Sequence, residues 1–321
     1  MRCDNIQSRI DNALTSRYRS ITILNQNDLT ENLQQLLTKH FPEIDSNQWE
    51  RRTLHGGLYV NGIPKRLPSA LLEPLPFPCK VEYYNPKYSI TEAADFFPSW
   101  QKDWIVFEDP WIMVVFKPKG LPTSFSREQS EFSLRAYVEN YLQAPAHFPS
   151  RLDTSTAGLL AVSKTNQSHH PLQQLYQTRA IRKIYLAAIS QTPNWNSLTV
   201  IGKIGKSPRH PILREIRPDG ASAQTLLQLA QTNGDRALLI ARPLSGRTHQ
   251  IRVHLASIEL PIVGDNFYGG EIDPELNLLA YQLTFKHPMT GTIIDLQVPK
   301  NFLPNWSNKF NLKKLNTFNV L

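Results

Sequence analysis

Asp153 stands in the stretch "FPSRLDTSTAGLL", Phe148 to Leu160, two residues after Arg151 and just before a run of small hydroxylated side chains. A carboxylate in such a place can serve as nucleophile, base or electrostatic stabiliser, provided that something keeps it ionised. Thr154, Ser155, Thr156 and Gly158 let the backbone turn tightly and let a large ligand come close. The same spacing suits an aspartate that does no more than cap a local turn. A second cluster, "RPLSGRTHQIRVHLA" from Arg242 to Ala256, carries the cations that a working carboxylate would use. A helix opened by Thr248 sets His249, Arg252 and Ala256 on one face, with Arg247 at its mouth. Arginine is always charged and can hold a carboxylate through two hydrogen bonds. Ile251, Val253 and Leu255 interleave with the charged residues, so some of that charge is expected to be half-buried. In a third segment, "YQTRAIRKIYLAAI", the period of a strand puts Lys183 and Tyr185 on one face and Ile184 and Leu186 on the other. Tyr185 there suits stacking on a flat ring or simple core packing.

These residues need a scaffold, and the chain from Trp104 onward reads as one rich in strands. "DWIVFEDPWIMVVFKP" is a hairpin around Glu108-Asp109-Pro110, and "GLLAVSKT" and "IRKIYLAAIS" are strands. "QTLLQLAQ" and "RALLIARPL" pair across Asn233-Gly234, and "LLAYQLTFKHPMTGTIIDLQVP" closes around Pro288 to Gly291. Helices fall at Phe132 to Leu142, at "QSHHPLQQLYQTRA" and at "THQIRVHLASI". Strands outnumber helices and return by short turns, which implies an α+β domain with a mixed, largely antiparallel sheet.

Composition narrows the partners. The 321 residues are 40% hydrophobic, enough to bury a core, and carry a formal net charge of +8. That surplus favours a polyanion, because lysines and arginines on phosphates gain affinity by counterion release. Cys3 and Cys79 have neither metal nor redox spacing, and the histidines at 249 and 254 lack a third ligand, so no metal site is expected. His249 and His254 read instead as packing or RNA-edge residues. No apolar run is long enough to span a bilayer and the N-terminus has no apolar signal core, so the expectation is a soluble, cytoplasmic protein.

Ahead of this domain, residues 1–27 form an arginine-bearing stretch with little periodicity, expected to be a mobile arm or loose helix. From Asp28 to about Tyr88 the order is different. Leu33, Leu36 and Leu37 recur at helical spacing, a second helix from Ser46 bears Arg51 and Arg52, and "LYVNG" gives a strand and a tight turn before the closing strand "KVEYY". This order resembles the small α/β RNA-binding module named after ribosomal protein S-four. The division expected is therefore an arm over 1–27, the module over 28–88 and the larger domain over 89–321.

"RLDTSTAGLLAVSKT", "TRAIRKIYLA", "PLSGRTHQIRVHLASIELPIVGDNFYG" and "LAYQLTFKHPMTG" together resemble the RluA family of RNA pseudouridine synthases, in order and separation, from Trp104 to Pro299. "EDPWIMVVFKPKGLPT" is similar to the opening hairpin of that family. The resemblance implies a pseudouridine synthase fold and in-place isomerisation of uridine in ribosomal or transfer RNA. It implies Asp153 as the catalytic aspartate, Tyr185 beside the target base and Arg252 as partner of the aspartate, lowering its pKa. Arg151, Lys183, Arg247 and His249, with Arg51 and Arg52 of the module, are then substrate-binding. No metal, nucleotide or redox cofactor and no obligate protein partner is implied. Ser150, Thr154-Ser155 and Gly220-Ala221 depart from the usual residues of the family and bear on substrate choice more than on chemistry. A non-catalytic RNA-binding or ribosome-assembly protein of the same fold is the alternative, and survival of the aspartate, tyrosine and arginine favours the enzyme. A carboxylate-dependent hydrolase lacks a second acid at a recognisable spacing.

Overall fold

The computed structural model describes residues 18–54, 58–65, 67–84, 97–124, 132–210 and 212–317. They divide into two compact units, one drawn from Met1–Ser99 and Ser124–Tyr137, the other from Trp100–Thr123 and Val138–Leu321.

The first unit contains β1 (Tyr18–Ile23), α1 (Leu33–His40), α2 (Ser46–Leu54), β2 (Leu58–Val60), β3 (Ile63–Pro64) and β4 (Cys79–Tyr84). Both helices start where side chains can satisfy their free backbone N–H groups. Asn32 Oδ1 accepts from the Gln35 N–H at 3.0 Å, and Asp45 and Gln48 cap reciprocally at 2.7 and 3.2 Å. Leu33, Leu36 and Leu37 point into one core with Trp49, Leu58, Val60 and Val81. Trp49 meets Tyr83 edge to face, 4.9 Å between centroids. Asn61 and Gly62, both at positive φ, make the tight turn between β2 and β3. The antiparallel sheet runs β1-β4-β2-β3.

One element departs from expectation. Tyr18–Ile23, assigned above to a mobile arm or loose helix, is a strand paired along β4 with Ile21 opposite Val81. The alternation of "SITI", with Ile21 and Ile23 buried, is a period-two signal that the neighbouring arginines obscure. Residues 1–17 of the arm expected over 1–27 lie outside the described residues.

The second unit begins with β5 (Ile105–Glu108) and β6 (Ile112–Lys117), and the chain then forms α3 (Leu134–Leu142). There follow β7 (Ala157–Ser163), α4 (Asn166–Gln177), β8 (Arg182–Ile189), β9 (Ser197–Lys206), β10 (Arg214–Ile216), β11 (Ala221–Asn233) and β12 (Arg236–Pro243). α5 (Gln250–Ser257), β13 (Leu278–Lys286) and β14 (Ile293–Gln297) complete it. One sheet of ten strands runs β10-β9-β11-β12-β8-β13-β7-β6-β5, with β14 on β13. Every pairing is antiparallel except β13 with β7, so the mixed, largely antiparallel sheet is as the turns implied. That parallel contact needs a glycine: a Cβ on Gly158, at φ +133°, would lie 2.3 Å from the Ala280 carbonyl oxygen. Strands β9 and β10, which no strong signal marked, extend the sheet beyond β11.

The helix expected to open at Thr248 opens two residues later. His249 adopts a left-handed conformation (φ 57°, ψ 18°) and α5 starts at Gln250. Gln250 explains the delay: its buried amide donates to Gln224 O and Thr225 Oγ1 of β11, and its Oε1 accepts from Ser245 Oγ and the Arg247 N–H. These four bonds draw the chain onto the sheet before the helix can begin.

Candidate active site

Asp153 sits in the loop that leads into β7, and both neighbours in sequence are fastened. Thr123 Oγ1 donates to the Leu152 carbonyl at 2.8 Å and accepts the Leu152 N–H at 3.1 Å. The Thr154 carbonyl accepts from the Gly120 N–H at 2.8 Å and from Lys117 Nζ at 3.2 Å. The Asp153 carbonyl accepts the Thr156 N–H and closes a turn. Five bonds from backbone and buried side chains thus leave the Asp153 carboxylate, 26% exposed, aimed from a fixed base.

Lys117 ends β6 in complete burial and donates to the carbonyls of Pro118, Leu121 and Thr154. Burial pushes its ammonium down to about 7, while the negative charge of Asp153 opposes that shift. It is a three-bond donor built into the floor of the loop.

Arg252, on α5, is almost fully buried, but its main partner is not the one expected. Its Nε and Nη2 bind Asp265 Oδ2 and Oδ1 at 2.8 and 2.7 Å, and Phe267 and Tyr268 flank the guanidinium at 5.1 and 5.2 Å from their ring centroids. Only Nη1 turns toward Asp153, 3.8 Å from Oδ2. The expected depression of the Asp153 pKa is therefore corrected. Burial drives the carboxyl above its ordinary range, and the charges of Arg252, Lys117, Arg151 and Arg214 pull against it without winning.

His249 is buried, and its Nε2 lies 3.9 Å from the same Asp153 Oδ2. Burial, with the Arg252 charge adding to it, pushes this imidazole down to about 3, so the ring is neutral. Tyr185 is half-buried on β8, its phenol raised by burial and, to a lesser degree, by Tyr176 and Asp153. Lys183 shares its face, and burial lowers its ammonium. Arg151 and Arg247 are exposed, and Arg247 Nε donates to the Ser222 carbonyl. Arg51 and Arg52 lie on α2, but their side chains fall outside the described residues. Among the described residues there is no group of three or more metal-ligating side chains. No helix among them is long and apolar enough to cross a membrane.

A family model described as RNA pseudouridylate synthase matches residues 112–257, which include Asp153, Tyr185 and Arg252. The dual-specificity RNA pseudouridine synthase RluA of Salmonella typhi is 32% identical over 212 residues, 63% of this chain and 96% of that protein. The chain belongs to the RluA family of RNA pseudouridine synthases. The uncharacterized RNA pseudouridine synthase YhcT of Bacillus subtilis is 29% identical over 218 residues, 65% of this chain and 72% of the relative. In fold, the chain matches Human RNA Pseudouridylate Synthase Domain Containing 1 with a TM-score of 0.54 at 23% identity, covering 66% of this chain and 92% of that one.

As a member of the RluA family the protein is an RNA-modifying isomerase, and the geometry shows what sequence reading of it missed. Lys117 and Thr123 lie in "KPKGLPT", Asp265 and Tyr268 in "GDNFYG", all inside stretches that carry the resemblance but with no role attached. Arg214 was missed because β10 was. The signal available for Asp265 was an acid between turn-forming glycines at 264 and 269–270, close after an arginine-rich helix.

Proposed function

We propose that the chain isomerises particular uridines of ribosomal or transfer RNA to pseudouridine in the cytoplasm, with Asp153 as the essential carboxylate. The observation that carries this reading is the fixing of both neighbours of Asp153, by Thr123 and Lys117, while Arg252 and His249 approach its carboxylate. The bond from ribose C1′ to uracil N1 breaks, the base turns, C1′ bonds to C5, and C5 gives up its proton while N1 gains one, so one carboxylate beside the sugar must act without being protonated. A uridine inside a stacked helix cannot reach such a site, so the nucleotide is flipped out and Tyr185 stacks on its base. Arg151, Lys183 and Arg247 grip phosphates of the flipped strand. The first unit supplies further RNA contacts as an S-four-type module, through Arg51 and Arg52.

Pseudouridine mapping by carbodiimide labelling and primer extension tests this in cells carrying the wild-type chain, the Asp153→Asn variant, or neither. A modified site present only with wild type is the expected result, and identical maps from all three would overturn it. With purified protein, Asp153→Asn lowers kcat by at least roughly 10⁴-fold while RNA binding stays close to wild type. Because burial raises the Asp153 carboxyl and the ionised form reacts, the wild-type rate falls with falling pH through a midpoint above the ordinary value of 3.8.

A further inference from the structure

Tyr268 lies outside the segment matched by the family model and is not among the residues to which the resemblance gives a role, yet its hydroxyl is tightly specified. It accepts the backbone N–H of Arg214 at 3.0 Å and lies 2.8 Å from His249 Nδ1. An amide N–H can only donate, so it takes one acceptor site of the phenol oxygen, and His249 Nδ1 is the acceptor at hydrogen-bond distance for the single phenol hydrogen. With the phenol hydrogen on that bond, Nδ1 is the bare nitrogen and the ring hydrogen sits on Nε2, the atom 3.9 Å from Asp153 Oδ2.

We propose that Tyr268 fixes His249 as the Nε2–H tautomer, so that His249 holds a neutral hydrogen-bond donor toward Asp153, a positioning role for both residues. The role rests on Asp153 being the essential carboxylate. The opposite tautomer would face that carboxylate with a lone pair. Arg252 Nη1 and His249 Nε2 approach the same oxygen at 3.8 and 3.9 Å, so the two donors bracket one side of the carboxylate and close on it when substrate excludes water. His249 suits the task because it cannot protonate Asp153: burial, aided by Arg252, keeps the ring neutral, and burial also keeps the Tyr268 phenol protonated, pushed up to about 12. The left-handed backbone at His249 (φ 57°) fits a side chain held where the site needs it.

The test is nitrogen NMR of the full chain labelled with ¹⁵N-histidine, with the His249 signals assigned by their loss in His249→Gln. Bare Nδ1 and protonated Nε2 are expected in the wild type, and the reverse pattern overturns the proposal. In Tyr268→Phe the fixed tautomer is lost and kcat falls about tenfold with KM unchanged, the kinetic equivalent of one good hydrogen bond to an ion. A shifted tautomer with unchanged kcat removes the positioning role. His249→Gln, whose amide can place a donor near the Nε2 position, retains more activity than His249→Met; equal losses in the two count against the donor. Asp153→Asn separates the two readings: it is expected to be inactive with the His249 tautomer unchanged. Activity retained in that variant would defeat the essential-carboxylate reading and the positioning role with it, whereas a reversed tautomer beside an inactive Asp153→Asn defeats this proposal alone.

Discussion

In the N-terminal unit, Leu33, Leu36, Leu37 and Trp49 are at most 1% exposed, and the polar groups that matter cap helix ends and turns at the surface. Around Asp153 the balance is reversed: Lys117, Arg252 and Asp265, three ionisable side chains, are themselves buried and set the geometry, with Thr123 beside them. An apolar core tolerates small adjustments, because dispersion and burial are non-directional. A buried charge or hydroxyl is held by direction and distance, and its partner cannot be removed without leaving an unsatisfied group. The first arrangement makes a surface, the second holds one carboxylate in one orientation.

The sharpest way to break this contrast is Asp265→Ala, which leaves the Arg252 guanidinium buried without its two close bonds. Loss of one member of a buried pair is expected to cost about 4 kcal/mol, read from the urea unfolding midpoint. Arg252 is also freed to move toward Asp153, so the acid limb of the rate profile shifts to lower pH. A loss below about 1 kcal/mol would mean that water already serves the pair. Leu36→Ala is the apolar counterpart: a cavity in the first core costs about 3 kcal/mol and leaves kcat of the folded protein unchanged. Thr123→Val is smaller in stability and larger in function. It preserves shape but strips both bonds from Leu152, costing about 2 kcal/mol, and lowers kcat with KM unchanged as the Asp153 loop loosens.

The same contrast explains what could be read in the chain beforehand. The leucines of α1, the Asn-Gly turn and most strands of the large sheet follow from periodicity and turn chemistry, which are local properties. Asp153, Tyr185 and Arg252 were singled out because three separate segments resemble one family. The Arg252–Asp265 pair and the Lys117–Thr154 tie were not legible, because each joins residues that only the folded sheet brings together. The same holds for His249. Its spacing suggests a helix face, while Gln250, anchored to β11, shifts the start of the helix and turns the imidazole toward the aspartate.

Two glycines sharpen the comparison at its weak end. Gly62 and Gly158 both have positive φ, +79° and +133°, so an L side chain is strained at either. Their surroundings differ. A Cβ on Gly62 would meet nothing within 4 Å, whereas one on Gly158 would strike the Ala280 backbone at the parallel seam between β7 and β13. Gly62→Ala therefore incurs only the left-handed penalty, about 1 kcal/mol, visible as a small shift of the unfolding midpoint. Asn61 limits any local rearrangement, because its side chain already joins the turn to the Lys80 N–H and the Pro78 carbonyl. A loss well above that value in Gly62→Ala would show that the turn carries part of the packing of the first unit, and the division into apolar and polar control would have to be redrawn there.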